Sequence, residues 1–297
     1  MCSSDLILVD ERTIYIDKQR RTVRAMDYND TSDGYVSEDI SFHAEHITFG
    51  RLTELKYGIS PFGAIWFPTF SGDLVGCSIE KSQGTIGWHR HDTQGQIISI
   101  TTLKEFGVDV PWIAVRRNNK LYVERYSVDN LAYMDSALEI TAPAPTLTFA
   151  GFDHLNGQTV QVIADGAVHP DVVILLDGII TLQYEATTIT AGLGFTAEVE
   201  TLPMQNLRED GNTMFNVKRW SDIAVYLLES ARPIINGEDP YARYPETIMG
   251  EREGNETGVI EVSSAGWDHD ASIVVTQPLP LNMVILGIGG KVKENKI

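Results

Sequence analysis

The run Trp88-His89-Arg90-His91-Asp92 carries the side chains best suited to chemistry in this sequence. Alternate residues of a strand share a face, so His89 and His91 point together, and two imidazoles at that spacing can bind zinc or copper. A metal site needs a third ligand, and Asp92 would face the other way. The expectation is two polar strand residues facing solvent or a neighbouring subunit, with no metal bound. His43 and His46 are three residues apart around Glu45, one short of the helical zinc signature. Asp153-His154 and Asp268-His269-Asp270 could pair a carboxylate with an imidazole. Each closely follows a glycine, Gly151 or Gly266, and reads as turn chemistry. Gly192-Leu193-Gly194 lacks the third glycine and the following helix of a dinucleotide loop, and no P-loop or Gly-x-Ser-x-Gly elbow occurs. The sequence therefore predicts no catalytic residues, no cofactor and no metal site.

The elements around these residues read as strand after strand. Leu6 to Val9, Thr13 to Ile16, Leu52 to Tyr57, Ala64 to Phe67 and Leu74 to Ile79 are short β-branched or apolar runs. Trp112 to Arg117 and Lys120 to Tyr126 flank Asn118-Asn119, a pair that accepts the left-handed conformation of a tight hairpin. Arg116-Arg117 beside Glu124-Arg125 then reads as a cross-strand ion-pair cluster that supports register. Three hairpin signals follow in residues 147–203, with turns at Asp165-Gly166 and Asp177-Gly178. One helical signal interrupts the strands: Ser37 as a cap, with Ile40, Ala44 and Ile47 on one face. Thr141 to Thr146, with two prolines, reads as a stiff connector.

Short strands at near-regular spacing predict an all-β chain with a sandwich, barrel or propeller architecture. The domain reading is a propeller-like β region at 1–145, a small β-hairpin module at 146–203, and closing strands at 204–297 with a long exposed loop at 231–257. Lys and Arg number 23 against 41 Asp and Glu, a formal net charge of −18. Such a surface repels phosphate backbones, which excludes sequence-reading nucleic-acid binding; solubility alone is its expected use, and a passage that nucleic acid crosses without sticking is the alternative. Cys2 and Cys77 form neither a disulfide framework nor a zinc spacing. No apolar run is long enough to span a bilayer, and the first residues lack a secretory signal, so a soluble product of a reducing cytoplasm is expected.

Several stretches together resemble the nozzle proteins of short-tailed bacteriophages, the tail tubular protein B family. They are Asp33-Gly34-Tyr35 with Ala44-Glu45-His46-Ile47, Gly87-Trp88-His89-Arg90-His91, Trp112 to Arg117, Tyr122 to Arg125 and Asp135-Ser136. The small module adds Phe152 to Gly157, Ala164-Asp165-Gly166, Gly192 to Phe195 and Thr201-Leu202-Pro203, and the close adds Gly266-Trp267 and Pro278 to Leu281. The pieces run in the same order over nearly the whole chain. Family members are commonly longer, and this chain resembles their C-terminal portion.

The resemblance implies a propeller-like β body carrying an inserted small β module. It further implies a non-catalytic virion protein, made in the host cytoplasm, six copies of which form a ring that extends the tail tube below the portal and its adaptor. Expected partners are other copies of the chain, the tail adaptor and further tail proteins. DNA passes through the ring without sequence-specific binding, and no membrane insertion is expected. The 231–257 loop and the 153–157 turn are the expected interaction surfaces. The alternative is a glycan-binding or glycan-cleaving β protein acting on host surface polysaccharide, with Trp66, Trp88, Trp112 and Tyr122 as candidate sugar-stacking residues. Core packing is the expected use of those tryptophans, because Trp88 alternates with Ile86 and Trp112 follows Pro111 in an apolar strand.

Overall fold

Antiparallel strands make up nearly all the regular structure of the computed structural model, which describes residues 6–59, 63–80, 83–127, 133–205, 207–208, 211–212, 216–239, 255–263 and 266–295. The chain divides into two units, Met1–Asp129 and Asn130–Ile297.

The first unit consists of three successive meanders. Strands β1 (Leu6–Val9), β2 (Arg12–Ile16), β3 (Val23–Asn29) and β4 (Gly34–Asp39) form sheet I in chain order. A 3-10 turn (Phe42–Ala44) and the one-turn helix α1 (Glu45–Thr48) lead to sheet II, again in chain order: β5 (Lys56–Gly58), β6 (Ala64–Pro68), β7 (Leu74–Glu80) and β8 (Thr85–His91). Strands β9 (Gln96–Glu105), β10 (Val108–Arg117) and β11 (Lys120–Arg125) make sheet III.

Strand alternation explains how the three sheets stack. Ile14, Ile16, Val23 and Ala25 of sheet I share one core with Ile65, Phe67, Val75 and Cys77 of sheet II. Ala64, Trp66 and Leu74 point the other way in sheet II and share a second core with Ile97, Ile100, Ile113 and Val115 of sheet III. Sheet II is therefore covered on both faces, and every residue of β6 is buried. That is why Ala64 to Phe67 reads as an unbroken apolar run rather than an alternating one. Burial inside the first of these cores also raises the Cys77 thiol pKa to about 12, so it stays protonated at neutral pH.

The second unit opens with β12 (Asp135–Ala150), β13 (Thr159–Ala164), β14 (Ala167–Val173) and β15 (Ile179–Leu193), paired in the order β12-β15-β13-β14. Phe149, Phe152, Val160, Val162, Ile180 and Ile189 are central to its core. Further along come β16 (Ala197–Glu200), the short hairpin β17 (Leu207–Arg208) and β18 (Gly211–Asn212), β19 (Val217–Ser230), β20 (Ile234–Ile235), β21 (Glu256–Val262), β22 (Val274–Gln277) and β23 (Ile285–Asn295). They form the sheets β16-β22-β20 and β21-β19-β23 around Ile223, Val225, Ile260 and Val275. Among the described residues, no helix is long and apolar enough to cross a membrane.

Turn chemistry is where sequence and structure agree best. Asn118 and Asn119 both take positive φ, 47° and 60°, between the paired residues Arg117 and Lys120. Asp165 and Gly166 do the same, at 47° and 84°, between Ala164 and Ala167. The Asp165 carboxylate also accepts the backbone N–H groups of Thr187 and Thr188, which fastens this hairpin to β15.

Leu52 to Tyr57 is strand only from Lys56 onward, and three further expectations differ from the structure. Ser37 does not cap a helix; it lies within β4, where its hydroxyl meets Tyr15 Oη and the Arg24 guanidinium. Pairing with β3 satisfies this backbone better than one isolated helical turn could, although Ile40 and Ala44 are buried as expected. Asp177-Gly178 turns the chain without closing a hairpin. Strand β14 ends at Val173, and Ile179 opens β15, which pairs with β12 and β13. The turn is fixed instead by Asn156 Oδ1, which accepts the Gly178 N–H, and by the Gly178 carbonyl, which accepts the Phe152 N–H. Thr141 to Thr146 runs inside β12, with the ladder to β15 shifted between Thr141 and Thr146. The two prolines thus make a bulge within a strand rather than a connector between domains.

Candidate functional site

Strand β8 sits at one edge of sheet II and turns His89 and His91 inward, toward sheet III. The register places Lys56, Trp66, Gly76 and His89 in one row across β5 to β8, so their side chains share a face. Gly76 supplies the space. A Cβ at that position would lie 1.9 Å from His89 Cε1, so the imidazole lies over bare backbone. The His89 ring meets Trp66 in a T-shaped contact at 5.6 Å between centroids, and Tyr126 packs against Trp66 at 5.4 Å. His91 completes the group, with its Nε2 2.6 Å from His89 Nδ1.

At that distance one imidazole donates an N–H to the other, which requires at least one of the two to be neutral. Burial lowers the pKa of His89, and burial together with the neighbouring His89 lowers that of His91 to about 4. The arrangement is thus a neutral, proton-sharing pair at neutral pH. The expectation of two histidines facing solvent or a neighbour is corrected: both are half-buried and packed on Trp66, because Gly76 opens a seat that the sequence pattern of β8 does not reveal. Among the described residues no three His, Cys, Asp or Glu side chains gather as a metal-binding group.

The remaining candidates fall apart as sites. His43 and His46 are exposed on the short helical segment, and His46 offers its carbonyl to Arg90. His154 bonds the Ser136 carbonyl at 3.0 Å rather than Asp153, and its ring stacks on Phe152. Trp66, Trp88 and Trp112 do not share a surface. Trp66 is buried toward sheet III, Trp88 stacks on Phe67 toward sheet I and donates to the Ile40 carbonyl, and Trp112 donates to Glu105. Arg117 and Glu124 form the expected ion pair, and Arg125 pairs with Glu105 at 3.1 Å. Of the two expected interaction surfaces, the 153–157 turn packs Leu155 into the core. Residues 240–254 of the 231–257 loop lie outside the described residues, and its described start buries Ala231 and Ile235.

Asp268-His269-Asp270 has a role that spacing alone does not show. Lys218, on β19, is only 2% exposed, and its ammonium donates to the carbonyls of Met204 and His269, both at 2.8 Å. The Lys218 and Asp268 backbones also exchange two hydrogen bonds. A lysine at the start of an alternating strand gives no warning of burial; only the return of the 266–271 segment across β19 creates the cage. Replacing Lys218 with methionine would keep the packing volume but leave two carbonyls without their cation. We expect a loss of about 2 to 4 kcal/mol in urea unfolding; an unchanged midpoint would mean that the ammonium contributes nothing.

No family model matches this chain, and no curated protein matches its sequence.

Proposed function

We propose that this chain is a structural subunit of a bacteriophage tail tube, of the nozzle type, with a propeller-like first unit. The observation that carries the reading is the succession of two four-stranded meanders and a three-stranded one, stacked face to face in chain order. Propeller blades are built and packed in this way, and the ordered resemblance described above points to the same family. In this reading the copies form a ring, six by family likeness, beside an adaptor, and the subunit works through its interfaces. A net charge of −18 suits a channel wall that lets DNA pass without holding it.

The test is the mass of the purified chain by light scattering, with negative-stain imaging of the same sample. Closed rings with a central channel, formed alone or on addition of the tail adaptor, are the expected result. A chain that stays monomeric under both conditions, or assembles without a channel, would overturn the proposal.

A further inference from the structure

The stack of three sheets has two ends, and each end presents an outer face with exposed apolar side chains. On the outer face of sheet I, opposite the shared core, strand alternation presents Leu6, Leu8, Tyr15, Met26, Tyr28 and Tyr35. Leu8 is 69% exposed and Tyr35 74%. Tyr28 and Tyr35 meet edge to face at 5.5 Å, and Tyr15, Ser37 and Arg24 are hydrogen-bonded at the centre. The outer face of sheet III presents Trp112, Ala114, Leu121, Val123, Arg116 and Arg125, with Leu121 63% and Val123 70% exposed. The acids at the two faces include Asp39, engaged by Ser41, Asp33, which accepts the Tyr28 hydroxyl, Glu54, which accepts the Ser99 hydroxyl, and Glu105, engaged by Trp112 and Arg125. Exposed leucine, tyrosine and arginine around a half-buried tryptophan, with the acids engaged, is the composition of a protein interface rather than of a solvated sheet.

We propose that the outer face of sheet III docks on the outer face of sheet I of a second copy, so that copies add head to tail. Two observations favour this occupant. First, the contact continues a series the chain already makes twice: sheet I on sheet II, then sheet II on sheet III. Second, sheet III is not complementary to itself, and sheet I offers its arginines partners. Sheet III on sheet III would bring Arg116 and Arg125 against the same pair, whereas sheet I offers them exposed tyrosine rings that arginine stacks on. Because the two faces differ and lie at opposite ends of one stack, the contact is heterologous, and it closes into a ring or runs on as a filament according to its rotation. The inference rests on the faces and is independent of the tail-tube reading.

Leu8→Glu on one face and Val123→Glu on the other separate the possibilities. Both positions are exposed, so the fold is expected to survive, as far-UV circular dichroism and a melting curve would verify. By light scattering, wild type should form multimers and each variant alone should be monomeric. An equal mixture should stop at dimers, because each variant keeps the one intact face that the other needs. Should either glutamate variant misfold, Tyr35→Ala and Leu121→Ala serve in its place, with self-association expected to weaken about tenfold. The proposal fails if wild type is monomeric at all concentrations, if the folded variants keep the wild-type mass, or if the mixture stays monomeric. Open filaments that both substitutions abolish would uphold these faces and sink the nozzle; channelled rings that neither disturbs would do the reverse.

Discussion

Gly76→Ala should destabilise the first unit by about 2 to 4 kcal/mol, an unusually large effect for adding one methyl group. The new Cβ would fall 1.9 Å from His89 Cε1 and 2.4 Å from Nδ1, well inside contact distance. The imidazole cannot simply swing away, because Trp66 lies against it and His91 is bonded to it. It has to leave its seat, and then the proton-sharing bond and the edge contact with Trp66 are lost together. Backbone strain plays no part, since Gly76 has no left-handed φ; the effect is steric and specific to His89. His89→Ala should therefore restore part of the loss. In chemical denaturation the double variant should be more stable than the sum of the two single changes predicts, by at least about 1 kcal/mol. Strict additivity would show that Gly76 is needed for some reason other than the histidine.

Stability should fall on acidification through a window set by the same pair. The His91 pKa is about 4 in the folded chain against an ordinary value of 6.5. A depressed pKa means that the unfolded chain takes up the proton first. The stability linked to His91 is then complete above about pH 6.5, declines as the pH falls, and is gone below about pH 4. The contribution is at most about 3 kcal/mol. Protonating both rings would place two cations 4.8 Å apart between centroids, beside Trp66 and Tyr126. On the facing sheet Arg117 is paired with Glu124, so that carboxylate is already engaged. Urea midpoints for wild type and His91→Leu, compared between pH 7.5 and 4, isolate the effect, because the many carboxylates titrate alike in both. Wild type should lose more stability than the variant across this range; parallel curves would dismiss the pair as a pH-sensitive element.

The sequence by itself determined what depends on neighbours along the chain. Asn118-Asn119 and Asp165-Gly166 specify their hairpins because positive φ is a property of one or two residues. The unbroken apolar run of β6 announces a strand covered on both faces, and Ile40 and Ala44 are buried although the helix meant to carry them is a single turn. The functional reading also came from the sequence, as a resemblance distributed over many short pieces.

Tertiary structure decided which strand meets which, and which face is covered. Asp177-Gly178 has the same turn residues as Asp165-Gly166, yet Asn156 and Phe152 hold it, and the strand that follows joins β12 and β13. His89 and His91 share a face, as strand alternation requires, but whether that face meets water depends on Gly76, Trp66 and Tyr126, each on another strand or beyond one. Lys218 looks like a surface lysine until the 266–271 segment crosses β19 and encloses it. The physical reason is common to all three. A φ angle or an apolar alternation is settled within a few residues, whereas burial and partnership are settled by contacts between segments far apart in the chain, and local residue types carry no record of those contacts.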